Sequence, residues 1–331
     1  MPLLRSLALT CLAALAFSGC KTSQGNPGGP RSGVQVIQEG STVKITIRGE
    51  PFADYHYQNV SRPYLFPIHG PGGLKMTRNW PMAEFPGEEH DHPHHRSFWY
   101  AHGEINGQDF WSEGDKAGKT LHDRFIKLGS DRQGGIIKTA NKLVAKDGTI
   151  VATDERTIRI LDRVEDRVMD FEITIFASHG ELKFGDTKEG SMALRLAETM
   201  RLKGKVGKGH IVNSEGVRDA DTWGKRAKWV DYHGPVDGQT VGVALFDHPS
   251  NPRHPTWWHV RDYGLFAANP FGLHDFEKKP AGAGDFVVKA GGKVTFKYRF
   301  YFHRGDELQS RVAEKYAEYT GLSTSSKSQS R

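Results

Sequence analysis

The alternation of apolar and polar residues along the chain predicts a protein built from β-strands. Residues 294–303 read VTFKYRFYFH, which places Val294, Phe296 and Tyr298 on one face of an extended chain. Strand-like runs also occupy residues 135–144, 150–161 and 168–177, with polar turns between them. Strands joined by turns indicate an antiparallel meander, because a parallel sheet would need helical crossovers. The pattern therefore predicts an all-β fold.

The two ends of this β region carry further signals. Residues 34–37 and 42–47 are rich in β-branched side chains and flank Gly40, which predicts an opening hairpin. Near the other end, Asp306 with Gln309 three residues later is typical of a helix start, and Gly321 of a helix end. The apolar stripe of this predicted helix consists of Leu308, Val312, Tyr316 and Tyr319. We expect a single large antiparallel β-sandwich over residues 34–322 with a short C-terminal helix, followed by a disordered polar tail at 323–331.

The first 33 residues have the composition of a targeting segment and not of a folded domain. Arg5 precedes an apolar run at residues 7–17 that is too short to span a membrane as a helix. The run ends in Phe17-Ser18-Gly19-Cys20, which resembles a bacterial lipobox with Cys20 as the lipidated residue. The alternative is an ordinary secretory signal in which Cys20 is incidental. We predict a lipoprotein signal peptide at 1–20 and a flexible tether at 21–33, so the domain is exported and lipid-anchored to a membrane of the cell envelope, on the periplasmic side or the cell surface.

Charge and cysteine content limit the kinds of partner, disulfide and metal site that we expect. The net charge is +6, but lysine and arginine are interleaved with aspartate and glutamate. The densest basic run, at residues 201–208, is broken by glycines as in a hairpin tip, so we expect no nucleic-acid partner. Cys11 and Cys20 are the only cysteines, so the region after residue 20 can form neither a disulfide nor a cysteine metal site.

Residues 88–102 are the most chemically loaded stretch, with five histidines, three carboxylates and one arginine. Histidine titrates near neutral pH and ligates metals, so such a density is typical of functional sites. Pro93 cannot donate to a sheet ladder, which places the segment before Ser97 in a loop or at an edge. Three interpretations stay open: a solvated polar loop, a metal site, and a metal-free pocket that uses histidine and arginine.

Several motifs resemble the bacterial family labelled "methane oxygenase PmoA", a domain of unknown function. They lie at residues 91–96 (DHPHHR), 98–103, 186–190, 247–252, 258–264 and 269–272. The sequence argues against the activity in that label, because a methane monooxygenase membrane subunit needs several transmembrane helices and residues 21–331 have no apolar run of that length. The long strands and the pattern at 291–296 are similar to galactose-mutarotase-like supersandwiches, whose members bind or process carbohydrates.

The resemblance implies an exported carbohydrate-active protein, and the residues suggest an enzyme. His95 is the candidate general acid or base, with Asp247 or Glu198 to orient it or pair with it. Arg96 and Lys188 would hold substrate oxygens. Further candidates for substrate binding are His69, His102, Arg195, His248, Trp258, His259 and Arg261. Glycoside hydrolase, lyase and epimerase chemistry all stay open, although the excess of histidine over paired carboxylates favours a lyase or an epimerase.

Two alternatives differ in class. A metal-dependent hydrolase would bind a divalent metal through His92, His94 and a third ligand such as His102 or His248, although no spacing here matches a known zinc signature. A non-catalytic surface lipoprotein would bind glycans without turnover.

Overall fold

Two eight-stranded antiparallel sheets lie face to face in the computed structural model, which describes residues 33–322. The predicted signal peptide, Cys20, the tether up to residue 32 and the polar tail lie outside the described residues. The predicted all-β antiparallel sandwich is confirmed. Within residues 33–322, none of the helices is long and apolar enough to cross a membrane.

The first sheet has the strand order β1-β2-β3-β4-β5-β11-β16-β15. Its strands are β1 (Val34–Glu39), β2 (Thr42–Ile47), β3 (Glu50–His56), β4 (Tyr64–Ile68), β5 (Phe98–His102), β11 (Gly190–Arg195), β15 (Trp257–Val260) and β16 (Leu265–Asn269). The predicted opening hairpin is confirmed, since β1 pairs with β2 around Gly40.

The second sheet has the order β12-β13-β14-β18-β9-β8-β7-β6. Its strands are β6 (Lys119–Asp131), β7 (Gly134–Val144), β8 (Ile150–Leu161), β9 (Arg167–Phe176), β12 (His210–Asn213), β13 (Trp229–Val236), β14 (Gln239–Asp247) and β18 (Lys293–Arg304). A small separate ladder joins β10 (Leu182–Phe184) to β17 (Phe286–Val288).

The sequence pattern fixes the second sheet because burial alternates along its strands. In β8 and β18 every second side chain is buried over most of the strand, as the apolar alternation predicts. The inward residues pack against those of the first sheet: Phe98 of β5 meets Phe171 and Phe300 at ring-centroid distances of 5.7 and 4.9 Å. The predicted runs at 135–144, 150–161 and 168–177 match β7, β8 and β9 to within one residue at every end.

The helices are short. They are α1 (Leu273–Glu277), α2 (Val312–Thr320) and the 3-10 turns Pro71–Gly73, Glu198–Met200 and Asp219–Thr222. The predicted start of the C-terminal helix at Asp306 was wrong. Asp306 closes a separate turn by accepting from the N–H groups of Leu308 and Gln309, and Arg311 at φ 56° then interrupts the helical path. Leu308 is therefore 74% exposed and does not join the apolar stripe.

The outer face of the first sheet is covered by loops. A cross-strand row on this face runs through Tyr64, Trp99, Ala193, Ala267 and His259 on neighbouring strands. The two alanines have small side chains, so the centre of the row projects less from the sheet than the aromatic residues at its ends. The loop between β4 and β5 carries the histidine-rich stretch over this face, where Tyr64 and Trp99 form a second apolar cluster outside the main core.

Candidate functional site

A buried charge cluster anchors the histidine-rich loop to the outer face of the first sheet. Arg195 of β11 donates from Nη2 to Asp91 Oδ1 and Oδ2 at 2.7 and 3.0 Å, and Arg78 also donates to Asp91. Both arginine side chains are fully buried. Burial alone would raise the pKa of Asp91, but His92 and the two arginines lower it overall. Asp91 therefore stays ionised and cannot act as a general acid.

His95 lies against this cluster with a defined protonation state. Arg195 Nη1 donates to His95 Nδ1 across 2.9 Å, so Nδ1 accepts and the ring proton is on Nε2. Burial and the charge of Arg195 hold the pKa of His95 well below its usual value. The ring is thus a neutral imidazole with a single N–H donor.

Four rings stack beside one another in this site. Tyr263, His92, His95 and Trp99 follow in order, with centroid distances of 4.9, 4.7 and 5.2 Å and interplanar angles of 10°, 12° and 23°. His94 meets His95 edge-on at 4.5 Å. Burial, followed by the charge of Arg62, lowers the pKa of His94 to about 4. His94 is therefore neutral at physiological pH.

A second group of side chains, formed by Trp223, His259 and Arg261, adjoins the site at β15. Trp223 Nε1 donates to His259 Nδ1 at 3.0 Å, which leaves the proton of His259 on Nε2. The Arg261 guanidinium lies 5.7 Å from the ring centre of Trp223 and 5.4 Å from that of Tyr263. Burial and the charge of Arg261 lower the pKa of His259 to about 3, and Lys188 contributes in the same direction.

Within residues 33–322, the buried polar groups near His95 that have no hydrogen-bond partner include three N–H donors. They are Nε1 of Trp99, Nε1 of Trp111 and Nε of Arg195. Trp99 and Trp111 lie 5.2 and 5.7 Å from His95 by ring centroids, and Arg195 contacts it directly. A buried donor without a partner costs about 1–3 kcal/mol, so an acceptor atom of a ligand or of an ordered water would be favoured beside each of the three.

Six of the predicted site residues come together here. Each of them contacts the cluster around His95 or the adjoining His259 group: His92, His94, His95, Arg195, His259 and Arg261. Lys188 is half-buried beside them, with its Nζ 3.3 Å from Glu189 and 3.9 Å from Asp275.

The two predicted carboxylate partners of His95 are engaged elsewhere. Asp247 ends β14 in the second sheet, where it accepts from Asn251, His254 and the backbone N–H of Thr256. These bonds fold the loop that follows β14. Glu198 forms an ion pair with Arg201, close to the charge cluster of Arg78, Arg195 and Asp91. Neither carboxylate has a contact with His95.

The other predicted residues also have structural partners. Arg96 forms a two-pronged ion pair with Glu113, at 2.7 Å for each contact. His102 is fully buried and its Nε2 bonds to Gly185 O, and Trp258 is a core residue that donates to Ala227 O. His69 lies in a β-bridge with Lys75. His248 bonds to Ser250 and packs against Tyr319 at 5.2 Å.

Sequence reasoning missed Arg78 and Tyr263 as members of the site, and it did not single out Asp91. A carboxylate in the middle of a histidine run was an available signal for Asp91, since such a group needs a cation when it is buried. Arg78 and Tyr263 come from separate loops, and no sequence pattern links either of them to His95.

The histidine and carboxylate ligand atoms that come together as a group of three lie in the second sheet and not in the histidine-rich loop. Within residues 33–322, one group of three histidine or carboxylate ligands converges, and it consists of Asp231, His233 and Glu307 in the second sheet. His92 and His94 are 5.8 Å apart by ring centroids, and the structure brings neither His102 nor His248 to them as a third ligand.

Solved structures with a similar fold are very distant in sequence. The galactosidase domain of an alpha-galactosidase-sucrose kinase is 6% identical with a TM-score of 0.43, over 82% of this chain and 42% of that one. The alpha-galactosidase from Lactobacillus brevis is 12% identical with a TM-score of 0.41, over 86% and 42%. A putative aldose 1-epimerase from Escherichia coli K12 is 9% identical with a TM-score of 0.33, over 82% and 99%. The chain thus spans about two fifths of the length of the two galactosidase chains.

No curated protein matches the chain. One family does match, and it is described as a family of unknown function, DUF6807, over residues 42–318. The predicted membership in a family of unknown function is confirmed, whereas the methane-oxygenase label finds no support in these comparisons. Since the match covers most of the sequence, the chain belongs to the DUF6807 family.

Proposed function

We propose that the protein is a carbohydrate-active enzyme that transfers protons on a sugar bound over the outer face of the first sheet. The observation that carries this proposal is the set of unpartnered buried donors around His95: Trp99 Nε1, Trp111 Nε1 and Arg195 Nε. A ligand rich in hydroxyl or carboxylate oxygens would satisfy such donors, whereas an apolar ligand would leave them unpaired.

The charge of the site favours a sugar with an acidic group. Arg78 and Arg195 share the single carboxylate of Asp91, and Arg261 adds positive charge nearby. An anionic ligand would balance this excess. We therefore favour a uronic acid, in which a carboxylate and several hydroxyls occur on one ring.

The available proton carriers favour elimination or epimerisation over hydrolysis. Hydrolysis commonly uses one protonated and one ionised carboxyl group. Two carboxylates next to the site are held by arginines: Asp91 by Arg195, and Glu113 by Arg96. Burial raises the pKa of Glu113, but its contacts with Arg96 and Arg62 lower it overall, so it is also ionised. We therefore assign proton transfer to the neutral histidines and Tyr263.

The proposed step begins with removal of the proton on the carbon next to the sugar carboxylate by His94. Arg195 and Arg261 would stabilise the negative charge that develops on the carboxylate, and His95 Nε2–H would donate a hydrogen bond to it. In an elimination, the electron pair of the broken C–H bond forms a C=C bond, the C–O bond to the leaving sugar breaks, and Tyr263 gives its proton to the leaving oxygen. The protonated His94 then returns a proton to Tyr263.

The proposal is tested with a panel of uronate-containing and neutral oligosaccharides in D2O. Elimination gives an ultraviolet-absorbing unsaturated product, and epimerisation incorporates deuterium, which NMR detects. We expect turnover of an acidic sugar and a loss of about 100-fold or more in His94→Ala. His90→Ala is the matched control, because His90 lies in the same loop but stacks on Trp80 at 4.0 Å.

Other outcomes would contradict parts of the proposal. Binding of acidic sugars without turnover would support the non-catalytic glycan-binding alternative. That alternative has its own support in the Trp223 and Tyr263 rings on either side of Arg261, which resemble a sugar-stacking surface. Turnover of neutral sugars alone would exclude the role given to the positive charge.

We also propose that the domain is exported and lipid-anchored through Cys20. The support is the apolar run at residues 7–17 followed by Ser18-Gly19-Cys20. Membrane fractionation of the full chain, compared with Cys20→Ala, tests this proposal. Equal amounts of both forms in the membrane fraction would contradict it.

A further inference from the structure

A second polar cluster lies on the outer face of the second sheet and has no part in the proposed reaction. His210, His233, Gly242 and His303 form a cross-strand row over β12, β13, β14 and β18. Asp231 precedes His233 by two residues and so faces the same side. Glu307 reaches the row from the turn before α2, where its second oxygen accepts from Arg218 at 2.6 Å.

The ligand atoms in this cluster are close together. The ligand atoms of Asp231, His233 and Glu307 all lie within 4.8 Å of one another. His233 Nδ1 is 2.7 Å from Asp231 Oδ1 and 3.8 Å from Glu307 Oε2. His303 Nε2 is 2.7 Å from the other oxygen of Asp231. Asp231 is fully buried, and only 7% of Glu307 is exposed.

A glycine makes room for the two imidazoles. A Cβ at Gly242 would lie 2.3 Å from Cε1 and 2.7 Å from Nε2 of His303, and 2.9 Å from the Cβ of His233. No other residue type fits between the two histidines without moving them. The missing side chain of Gly242 therefore lets His233 and His303 pack closely around Asp231.

The charges are also unbalanced without a cation. Arg218 compensates Glu307, but the buried carboxylate of Asp231 has only imidazoles as partners. Either a protonated imidazole or a metal ion can supply the missing positive charge.

We propose that Asp231, His233 and Glu307 bind a divalent transition-metal ion on the second sheet. One imidazole with two carboxylates suits Zn²⁺ or Mn²⁺, whereas Ca²⁺ and Mg²⁺ prefer oxygen ligands alone. His303 and Arg218 lie behind the two carboxylates and orient them. Because imidazole and carboxylate ligands bind a metal ion in their deprotonated forms, zinc binding should release protons to the buffer.

Calorimetric titration of the tag-free full chain with ZnCl₂, MnCl₂ and CaCl₂ tests this site. We expect one zinc ion per chain, a weaker response to Ca²⁺, and a dependence of the heat on the ionisation enthalpy of the buffer. Glu307→Gln should lower zinc affinity by at least about 10-fold. Glu314→Gln is the matched control, since Glu314 is an exposed carboxylate on α2, and it should leave the affinity unchanged, as should His94→Ala.

Two results would overturn the proposal: a folded wild-type protein that binds no zinc, or a Glu307→Gln variant with wild-type affinity. If that variant does not fold, X-ray absorption at the zinc edge of the wild-type protein decides instead. One imidazole with oxygen ligands is expected. Two or more imidazoles would contradict the assigned ligand set.

Discussion

Arg195 donates from Nη1 to Nδ1 of His95 across 2.9 Å, at a point where both side chains are buried. A guanidinium is always a donor, so this bond makes His95 a neutral imidazole with its proton on Nε2. The same arginine uses Nη2 for Asp91. One side chain of β11 thus fixes both the loop carboxylate and the state of the central histidine.

Replacing Arg195 should release His95 from this state. Burial is the main cause of the lowered pKa of His95 and remains in Arg195→Gln, but the charge of Arg195 that adds to it is gone, so that pKa should rise part of the way towards its usual range. Imidazole ¹⁵N NMR over a pH titration measures the change. Arg226→Gln, which removes an arginine stacked on Trp257 at 4.5 Å, is the control and should leave the His95 signal unchanged. An unaltered His95 titration in Arg195→Gln would contradict the assigned bond.

Removing the carboxylate between the arginines should destabilise the fold. Asp91→Asn leaves Arg78 and Arg195 buried beside each other without a counter-charge, which should lower the free energy of unfolding by about 3–5 kcal/mol. Urea unfolding measures the difference. The matched control is Glu172→Gln, which breaks a half-exposed pair with Lys297 and should cost less than about 1 kcal/mol. Similar losses in both variants would show that the arginine cluster is not a special anchor.

The contribution of Asp91 should also depend on pH in one direction. Its pKa in the folded protein lies below the usual value, although burial opposes the shift, because His92, Arg195 and Arg78 favour the ionised form. A carboxyl group with a lowered pKa in the folded protein stabilises the fold. This contribution is fully present above the pKa of the unfolded chain, near 4, and is lost as the pH falls below that value. The difference in melting temperature between the wild type and Asp91→Asn should therefore be constant between pH 5 and 7 and shrink below about pH 4. A difference that widens on acidification would contradict this.

The sandwich could be predicted from the sequence because burial alternates along long strands. β8 and β18 carry that alternation over most of their length, so their faces follow from the pattern alone. The start of α2 could not be predicted in the same way. The Asp306–Gln309 pattern is satisfied by an isolated turn, and the left-handed Arg311 that ends this turn has no signature in the sequence.

The site could be predicted only in part, because its members meet across the sheet. Arg195 is 104 residues from Asp91 and 100 from His95, and no local pattern links them. For Asp247 the difficulty is that its position in the sequence does not reveal its partner. A carboxylate at a strand end reads the same in sequence whether it orients a catalytic histidine or, as here, holds Asn251 and His254 in the next loop.

Gly242, which lies between His233 and His303 in the second sheet, should not tolerate a side chain. In Gly242→Ala the new methyl group would collide with His303 and with the Cβ of His233, so we expect a loss of about 1–3 kcal/mol in the free energy of unfolding. Zinc affinity should fall as well, because the histidines must move apart. Thr240→Ala changes an exposed residue of the same strand and serves as the control. Wild-type stability in Gly242→Ala would mean that the two histidines are not held where the structure places them.

The phenol of Tyr263 gives the sharpest distinction between a proton donor and a packing residue. Tyr263→Phe keeps the ring that stacks on His92 at 4.9 Å and lies 4.9 Å from the Arg195 guanidinium, and it removes only the hydroxyl. If Tyr263 protonates the leaving oxygen, kcat should fall by about 100-fold while KM stays nearly constant. Tyr64→Phe, on the same sheet face but stacked on His56 at 4.8 Å, should leave both parameters unchanged. A rise in KM with an unaltered kcat would instead place the hydroxyl in substrate binding, and the proton would then have to come from one of the histidines.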